Sequence, residues 1–252
     1  MAADPTTQRI GHDIAEAVRI ALRAAGRALR KRNVAAFIFD IDGTIIDSMP
    51  FHLRSWDEFL ARRGAPAVGG DFFRRTAGRN GVDIMRELFG PLSDGDAHAL
   101  VREKEVIYRE LFAPEFREIA GFTAFARAAK AAGVSLACAT AGDPDNIAFA
   151  VEGLQMQGFF DATVGAHDVE RGKPEPDLFL LAAARMGARP AECLVFEDAP
   201  LGIEAARRAG MRAVAIASTV PADELAAPAH VVARAQDFTT LDAHVLAARL
   251  FD

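Results

Sequence analysis

The sequence predicts an α/β fold, a parallel sheet with helices on both faces and an all-helical domain inserted after its first strand. Three observations predict it. The run Val34 to Phe39 is uncharged and ends in aromatic and β-branched residues, as a strand buried on both faces should be. Residues 48–112 read as consecutive helices with no strand pattern. From Gly121 onward, helix and strand patterns alternate, which builds a parallel sheet covered on both sides.

In chain order, residues 1–33 come first. Ile10, Ile14, Val18, Leu22, Ala25 and Leu29 recur at spacings of three and four, while Arg19, Arg23, Arg27, Arg30, Lys31 and Arg32 occupy the other face. This is a basic amphipathic helix. Its alanine-rich stripe and its acids Asp13 and Glu16 favour packing on the domain or on a neighbouring subunit; targeting and a partner contact are the alternatives.

After the first strand, Phe51, Trp56, Phe59 and Leu60 stripe one helix, which Gly64-Ala65-Pro66 ends. Val82, Met85, Leu88 and Phe89 stripe another, closed by Gly90-Pro91. Ser93 followed by Asp96 caps a long helix to about Phe112, broken by Ala113-Pro114. Strands are then expected at 134–139, 162–164, 193–196, 212–217 and, at an edge, 230–232. The expected helices are 122–132, 144–155, 175–186, 199–209 and 239–250. The chain thus divides into an N-terminal extension (1–33), a core of 34–47 with 117–252, and a helical cap (48–116) lying over the strand ends as a lid.

Composition bounds the partners. With 252 residues, 51% apolar, the chain can bury a sizeable core, and a net charge of −6 argues against nucleic acid. No apolar stretch is long enough to span a bilayer, so no membrane partner is expected. Two cysteines, Cys138 and Cys193, lie in apolar segments and read as buried free thiols of a reducing, cytoplasmic setting. A monomer or weak homodimer is expected.

The chemistry gathers at strand ends, where ligands of open α/β sheets bind. Asp40 and Asp42 follow the first strand, and Gly43 permits a sharp exit. Two acids so close repel unless a cation or a shared proton relieves them. Asp40 can attack phosphorus as a nucleophile, and Asp42 can protonate the leaving oxygen and later deprotonate water. Alone, the pair serves equally well as a loop cap. Thr140 ends the second strand, where its hydroxyl, with Ala141 beside it, could hold a phosphate or simply cap a helix. Lys173 lies in the loop Arg171-Gly172-Lys173-Pro174; it could neutralise phosphate and nucleophile or be solvated. Glu197-Asp198 ends an uncharged strand, an expensive place for acids without a positive partner, and Mg²⁺ answers that cost.

Asp40-Ile41-Asp42-Gly43-Thr44, Thr140, Lys173-Pro174 and Glu197-Asp198, in that order over residues 34–217, resemble the four motifs of the haloacid dehalogenase-like superfamily. The resemblance implies a Rossmann-like core, an aspartyl-phosphate intermediate and Mg²⁺. It implies metal ligation by the side chains of Asp40 and Asp198 and the backbone carbonyl of Asp42, with Glu197 a ligand or near neighbour, and phosphoryl binding by Thr140 and Lys173. Asp42 points to phosphatase or phosphomutase.

The helical insertion, with Asp47, Phe51-His52-Leu53-Arg54-Ser55-Trp56, Arg102-Glu103-Lys104 and Tyr108, is similar to the β-phosphoglucomutase-like branch. There the equivalents of His52 and Lys104 face the site when the cap closes; by residue type alone, His52 is equally an ordinary helix-face residue and Trp56 a core residue of the cap. A mutase must also grip a second phosphate. Gly81 stands where the gripping arginine belongs, with Arg79 two residues away, and Asp143 follows Thr140 where an acid repels a distal phosphate.

The expectation is therefore a Mg²⁺-dependent phosphatase for a small phosphate monoester, of a sugar, with His52, Trp56, Arg79, Lys104, Thr140, Ala141 and Lys173 contacting substrate. The alternatives are a phosphomutase and a non-catalytic binding protein.

Overall fold

The computed structural model describes residues 35–220 and 228–250, all within one compact unit. The helix expected over 1–33 lies outside the described residues.

The described residues form a six-stranded sheet: β1 (Ala36–Phe39), β2 (Ser135–Ala139), β3 (Ala162–Val164), β4 (Cys193–Glu197), β5 (Arg212–Ile216) and β6 (Val231–Ala235). The strands run parallel in the order β3-β2-β1-β4-β5-β6. The order reverses between β1 and β4, so the crevice outside their carboxyl ends is the expected ligand site.

Side chains alternate across the central strands. Phe37 and Phe39 point to one face, where Phe122, Phe125, Phe196 and Phe238 complete an aromatic core; the Phe39 and Phe196 rings stack at 4.6 Å. Ile38, Ala137, Val195 and Ala213 point to the other face. Their small side chains admit the helices Asp177–Met186 and Pro200–Arg208.

The insertion contains α1 (Met49–Ala61), α2 (Gly70–Thr76), α3 (Gly81–Phe89) and α4 (Asp94–Phe112). Ser93 caps α4 by accepting from the Asp96 amide, as the sequence indicates. Trp56, Phe59, Leu60, Ile84, Met85 and Ile107 form a separate apolar cluster between these helices. The insertion therefore has its own small core. The two segments joining it to the sheet run side by side: the Ile119 amide donates to the Ile45 carbonyl (3.0 Å), the Asp47 amide to the Arg117 carbonyl (3.1 Å), and Arg117 pairs with Asp47 (2.7 Å).

Five helices flank the sheet: α5 (Phe122–Ala131), α6 (Pro144–Gly153), α7 (Asp177–Met186), α8 (Pro200–Arg208) and α9 (Ala243–Ala248). Two elements depart from expectation. The edge strand runs to Ala235 rather than stopping at Val232, because Arg234 breaks the apolar run yet faces outward at the sheet edge. The last helix starts at Ala243 rather than residue 239: Asp237 holds Thr239 in a turn, and Asp242 then caps the helix through the amides of His244 and Val245.

Candidate active site

β1 delivers Asp40 to the switch point, where its amide donates to the Phe196 carbonyl of β4 at 3.0 Å. Across the crevice, Glu197 and Asp198 leave the end of β4. Asp40, Glu197 and Asp198 are all buried, with one oxygen from each lying within 4.8 Å of the others. Lys173, from the loop before α7, reaches between them: its ammonium donates to Asp40 Oδ1 (2.7 Å) and to Glu197 Oε1. The second oxygen of Glu197 accepts from the Ala199 amide at 2.8 Å. Thr44 donates to Asp198 Oδ1 at 2.9 Å.

Two glycines make this cluster possible. Gly43 has φ +77°, and a Cβ there would overlap the Asp198 carboxylate and the Thr219 hydroxyl. Gly202, in the first turn of α8, receives the Glu197 carboxylate where any Cβ would sit. Among the described residues, neither Asp198 Oδ2 nor Thr219 Oγ1, both buried, has a hydrogen-bond partner. A buried carboxylate oxygen left open beside two other acids, in an all-oxygen donor set, fits a hard divalent cation.

Asp42 turns the other way. Its Oδ1 accepts from Ser48 (2.8 Å) and Tyr108 (3.2 Å) and lies 3.1 Å from His52 Nε2. The Lys104 ammonium donates to His52 Nδ1 at 2.7 Å, which leaves the imidazole proton on Nε2, directed at Asp42. The rings of His52 and Tyr108 stack at 3.8 Å, and Lys104 sits 5.2 Å from the Trp56 ring. The insertion thus touches the second acid with three side chains, while the first acid belongs to the sheet.

The two acids have opposite electrostatics. Burial pushes the Asp40 carboxyl up to about 7; Glu197 and Asp42 add to this and Lys173 opposes it. Burial also acts on Asp42, but His52, the Ser48 hydroxyl and the Lys104 charge outweigh it and bring the group down to about 2. Asp198 is pushed well above the usual carboxylate range by burial and its acidic neighbours. Burial alone would lower Lys173, yet Asp40 and Glu197 raise it, so the lysine stays charged.

Above these groups lies a cavity of about 360 Å³, enclosed by Asp40, Asp42 and Thr140 below and His52, Trp56 and Lys104 above.

The haloacid dehalogenase-like hydrolase profile matches residues 34–210. The chain belongs to this family. It is 36% identical over 189 residues to the fructose-1-phosphate phosphatase YqaB of Escherichia coli (strain K12), covering 71% of this chain and 95% of that one. It is 34% identical to hexitol phosphatase A of the same organism, over 74% and 84% of the two chains. The crystal structure of a family IA, variant 3 hydrolase from Entamoeba histolytica superposes with a TM-score of 0.78 at 27% identity, covering 87% of this chain and 100% of that one.

Within this haloacid dehalogenase-like framework, Asp40, Asp42, Thr140, Ala141, Asp198, His52, Trp56, Arg79 and Lys104 all line the one cavity. Lys173 and Glu197 lie buried behind Asp40. Trp56 serves both the cavity wall and the apolar cluster of the insertion. Thr140 Oγ1 accepts from the Gly142 amide (3.1 Å), which fixes the turn after β2. Arg79 is held by Glu87 at 2.7 Å on the cavity rim. Asp143 caps α6 by accepting from the Asn146 amide and stands 3.9 Å from Arg109. No helix among the described residues is long and apolar enough to cross a membrane, and both cysteines are buried and free.

Sequence reasoning did not single out Ser48, Glu105, Arg109, Asn146 or Thr219. Glu105 and Arg109 are four residues apart on one helix and read as an ordinary surface pair. Asn146 reads as a first-turn polar residue. Only the folded chain brings Glu105 and Asn146 to the cavity, with Arg109 against Asn146.

Proposed function

We propose that the chain is a Mg²⁺-dependent phosphatase that hydrolyses a small phosphate monoester of a sugar or polyol through a phosphorylated Asp40. The observation that carries this reading is the second acid: Asp42 stands beside the Asp40 cluster but takes no part in it, fixed by Ser48, His52 and Tyr108 where it can exchange a proton with the reacting oxygen. The names of the relatives at 36% and 34% identity, a fructose-1-phosphate phosphatase and a hexitol phosphatase, support the substrate class.

A divalent cation at Asp40, Asp198 and the backbone carbonyl of Asp42, with Glu197 adjacent, would offset the charge of the phosphoryl oxygens. Asp40 attacks phosphorus; the ester P–O bond breaks, and the leaving oxygen takes the proton of Asp42. Lys173 keeps Asp40 in place and compensates charge, while Glu197 fixes Lys173. Water then attacks the phosphorylated Asp40 and gives its proton to Asp42; the acyl-phosphate bond breaks, releasing inorganic phosphate and restoring the Asp40 carboxylate. The hydrogen bonds around Asp42 favour its carboxylate, the form that accepts this proton. That proton, kept on Asp42, is the one the next leaving oxygen takes. Excluding water during the first step is the work of the helical insertion, whose hinges would lie near residues 44–48 and 114–121.

The test is phosphate release from a panel of hexose, pentose and polyol monophosphates with and without Mg²⁺. Mg²⁺-dependent release from a narrow group of sugar phosphates is expected. No release from any of them overturns the proposal.

A further inference from the structure

Asn146 lies just beyond Thr140, in the first turn of α6, and is buried. Both ends of its amide are taken by α4 of the insertion. Its Nδ2 donates to Glu105 Oε2 (2.8 Å), and its Oδ1 accepts from Arg109 Nη1 (2.6 Å). The orientation is forced, since a carboxylate can only accept and a guanidinium can only donate. Glu105 in turn accepts from Lys104 at 2.9 Å, and Lys104 holds His52 against Asp42. Arg109 continues past Asn146 to within 3.9 Å of Asp143 and 3.7 Å of Asp145. A continuous polar chain therefore runs Asp42, His52, Lys104, Glu105, Asn146, Arg109, Asp143. It passes repeatedly between the sheet domain and the insertion.

We infer that Asn146 and Arg109 are positioning residues: with Glu105 they latch the insertion over the cavity, so that His52 and Lys104 meet Asp42 without a second anionic group on the substrate. The inference rests on the phosphatase reading for its consequence, but the latch itself is a property of the protein. A lid with no contacts of its own needs the ligand to bridge it to the core, and the populated closed fraction then sets the apparent affinity. Here the bridge is built from the chain. The ground it occupies, the turn after Thr140, holds the acids Asp143 and Asp145, and the nearby cation Arg109 is engaged with them and with Asn146. A distal phosphate placed there would find the Arg109 guanidinium already engaged.

Trp56 supplies a direct readout. It is the one tryptophan of the chain, it lines the cavity, and it lies against Lys104. Acrylamide quenching of its fluorescence, measured without ligand on the full chain, reports whether the insertion is closed. Asn146→Ala should raise the quenching constant at least about twofold, and should raise KM about tenfold with kcat changed by less than about threefold, as loss of the closed fraction demands. Arg109→Gln, at a partly exposed side chain, should act in the same direction and stands in if Asn146→Ala fails to fold. Folded variants with wild-type quenching and KM, or with kcat reduced and KM unchanged, overturn the latch. A wild-type protein that releases phosphate from nothing overturns the proposed function instead, and the quenching comparison still decides the latch.

Discussion

The ammonium of Lys173 lies 2.7 Å from Asp40 Oδ1, although 133 residues separate them and neither is appreciably exposed. The same ammonium contacts Glu197, so one lysine serves two of three clustered acids. Removing one partner of a buried ion pair leaves the other uncompensated, a loss of about 3–5 kcal/mol. Lys173→Met should therefore lower the Tm markedly as well as abolish phosphate release. Thermal denaturation checks it, and a variant as stable as wild type would show that the acids do not depend on this cation.

Asp40→Asn should behave differently. Asparagine is nearly isosteric and removes a negative charge from a crowded cluster, so the fold should survive while turnover disappears. Circular dichroism and phosphate release separate the two effects. A folded, active Asp40→Asn protein would remove Asp40 from the nucleophile's role.

Asp42→Asn keeps a side chain that can accept from Ser48 and His52 but cannot exchange a proton. General acid–base assistance is commonly worth about 10²–10⁴-fold, so kcat should fall by that amount, while the Tm falls modestly with loss of the stabilising Asp42 carboxylate. Activity within about tenfold of wild type would count against the proton-transfer role.

The acids also set a pH dependence for the metal-free protein. Asp40 titrates near 7 in the fold against an unfolded value of 3.8, so between these values the folded state binds more protons and stability falls as pH rises. Asp198, shifted the same way, adds to this. Asp42 is shifted downward, so its contribution is complete above 3.8 and lost only as pH falls toward 2. The Tm without metal should thus decline from pH 4 to pH 7, and Mg²⁺ should raise it more at pH 8 than at pH 5. Scanning calorimetry at both values, with and without Mg²⁺, checks the sign.

How much of this was legible in the sequence follows from distance along the chain. Asp40, Asp42, Thr140, Lys173 and the Glu197-Asp198 pair sit at strand ends, and strand ends show in the pattern of apolar runs. Their convergence follows from a parallel sheet. The contacts of His52 and Lys104 follow from the resemblance alone, since a histidine and a lysine on amphipathic helices carry no mark of what they face. Asn146 and Arg109 were hidden because their partners belong to another element, across a junction whose register no local pattern encodes. The same applies to Asp143, whose charge was legible and whose neighbour Arg109 was not.

Gly202 gives a case in which local propensity and packing predict opposite signs. It lies in the first turn of α8, where alanine is favoured over glycine by about 1 kcal/mol within a helix. By propensity Gly202→Ala should stabilise. The added Cβ, however, would overlap the Glu197 carboxylate, which is fully buried and tied to Lys173 and the Ala199 amide. Overpacking of this kind costs about 1–3 kcal/mol, and here the obstructing group is a short, doubly anchored side chain with no room to swing aside. Gly202→Ala should therefore lower the Tm, and the displaced Glu197 should carry Lys173 away from Asp40 and reduce kcat. A raised Tm with unchanged kcat would mean that Glu197 can move without disturbing Lys173, and its place as the anchor of that lysine would be lost.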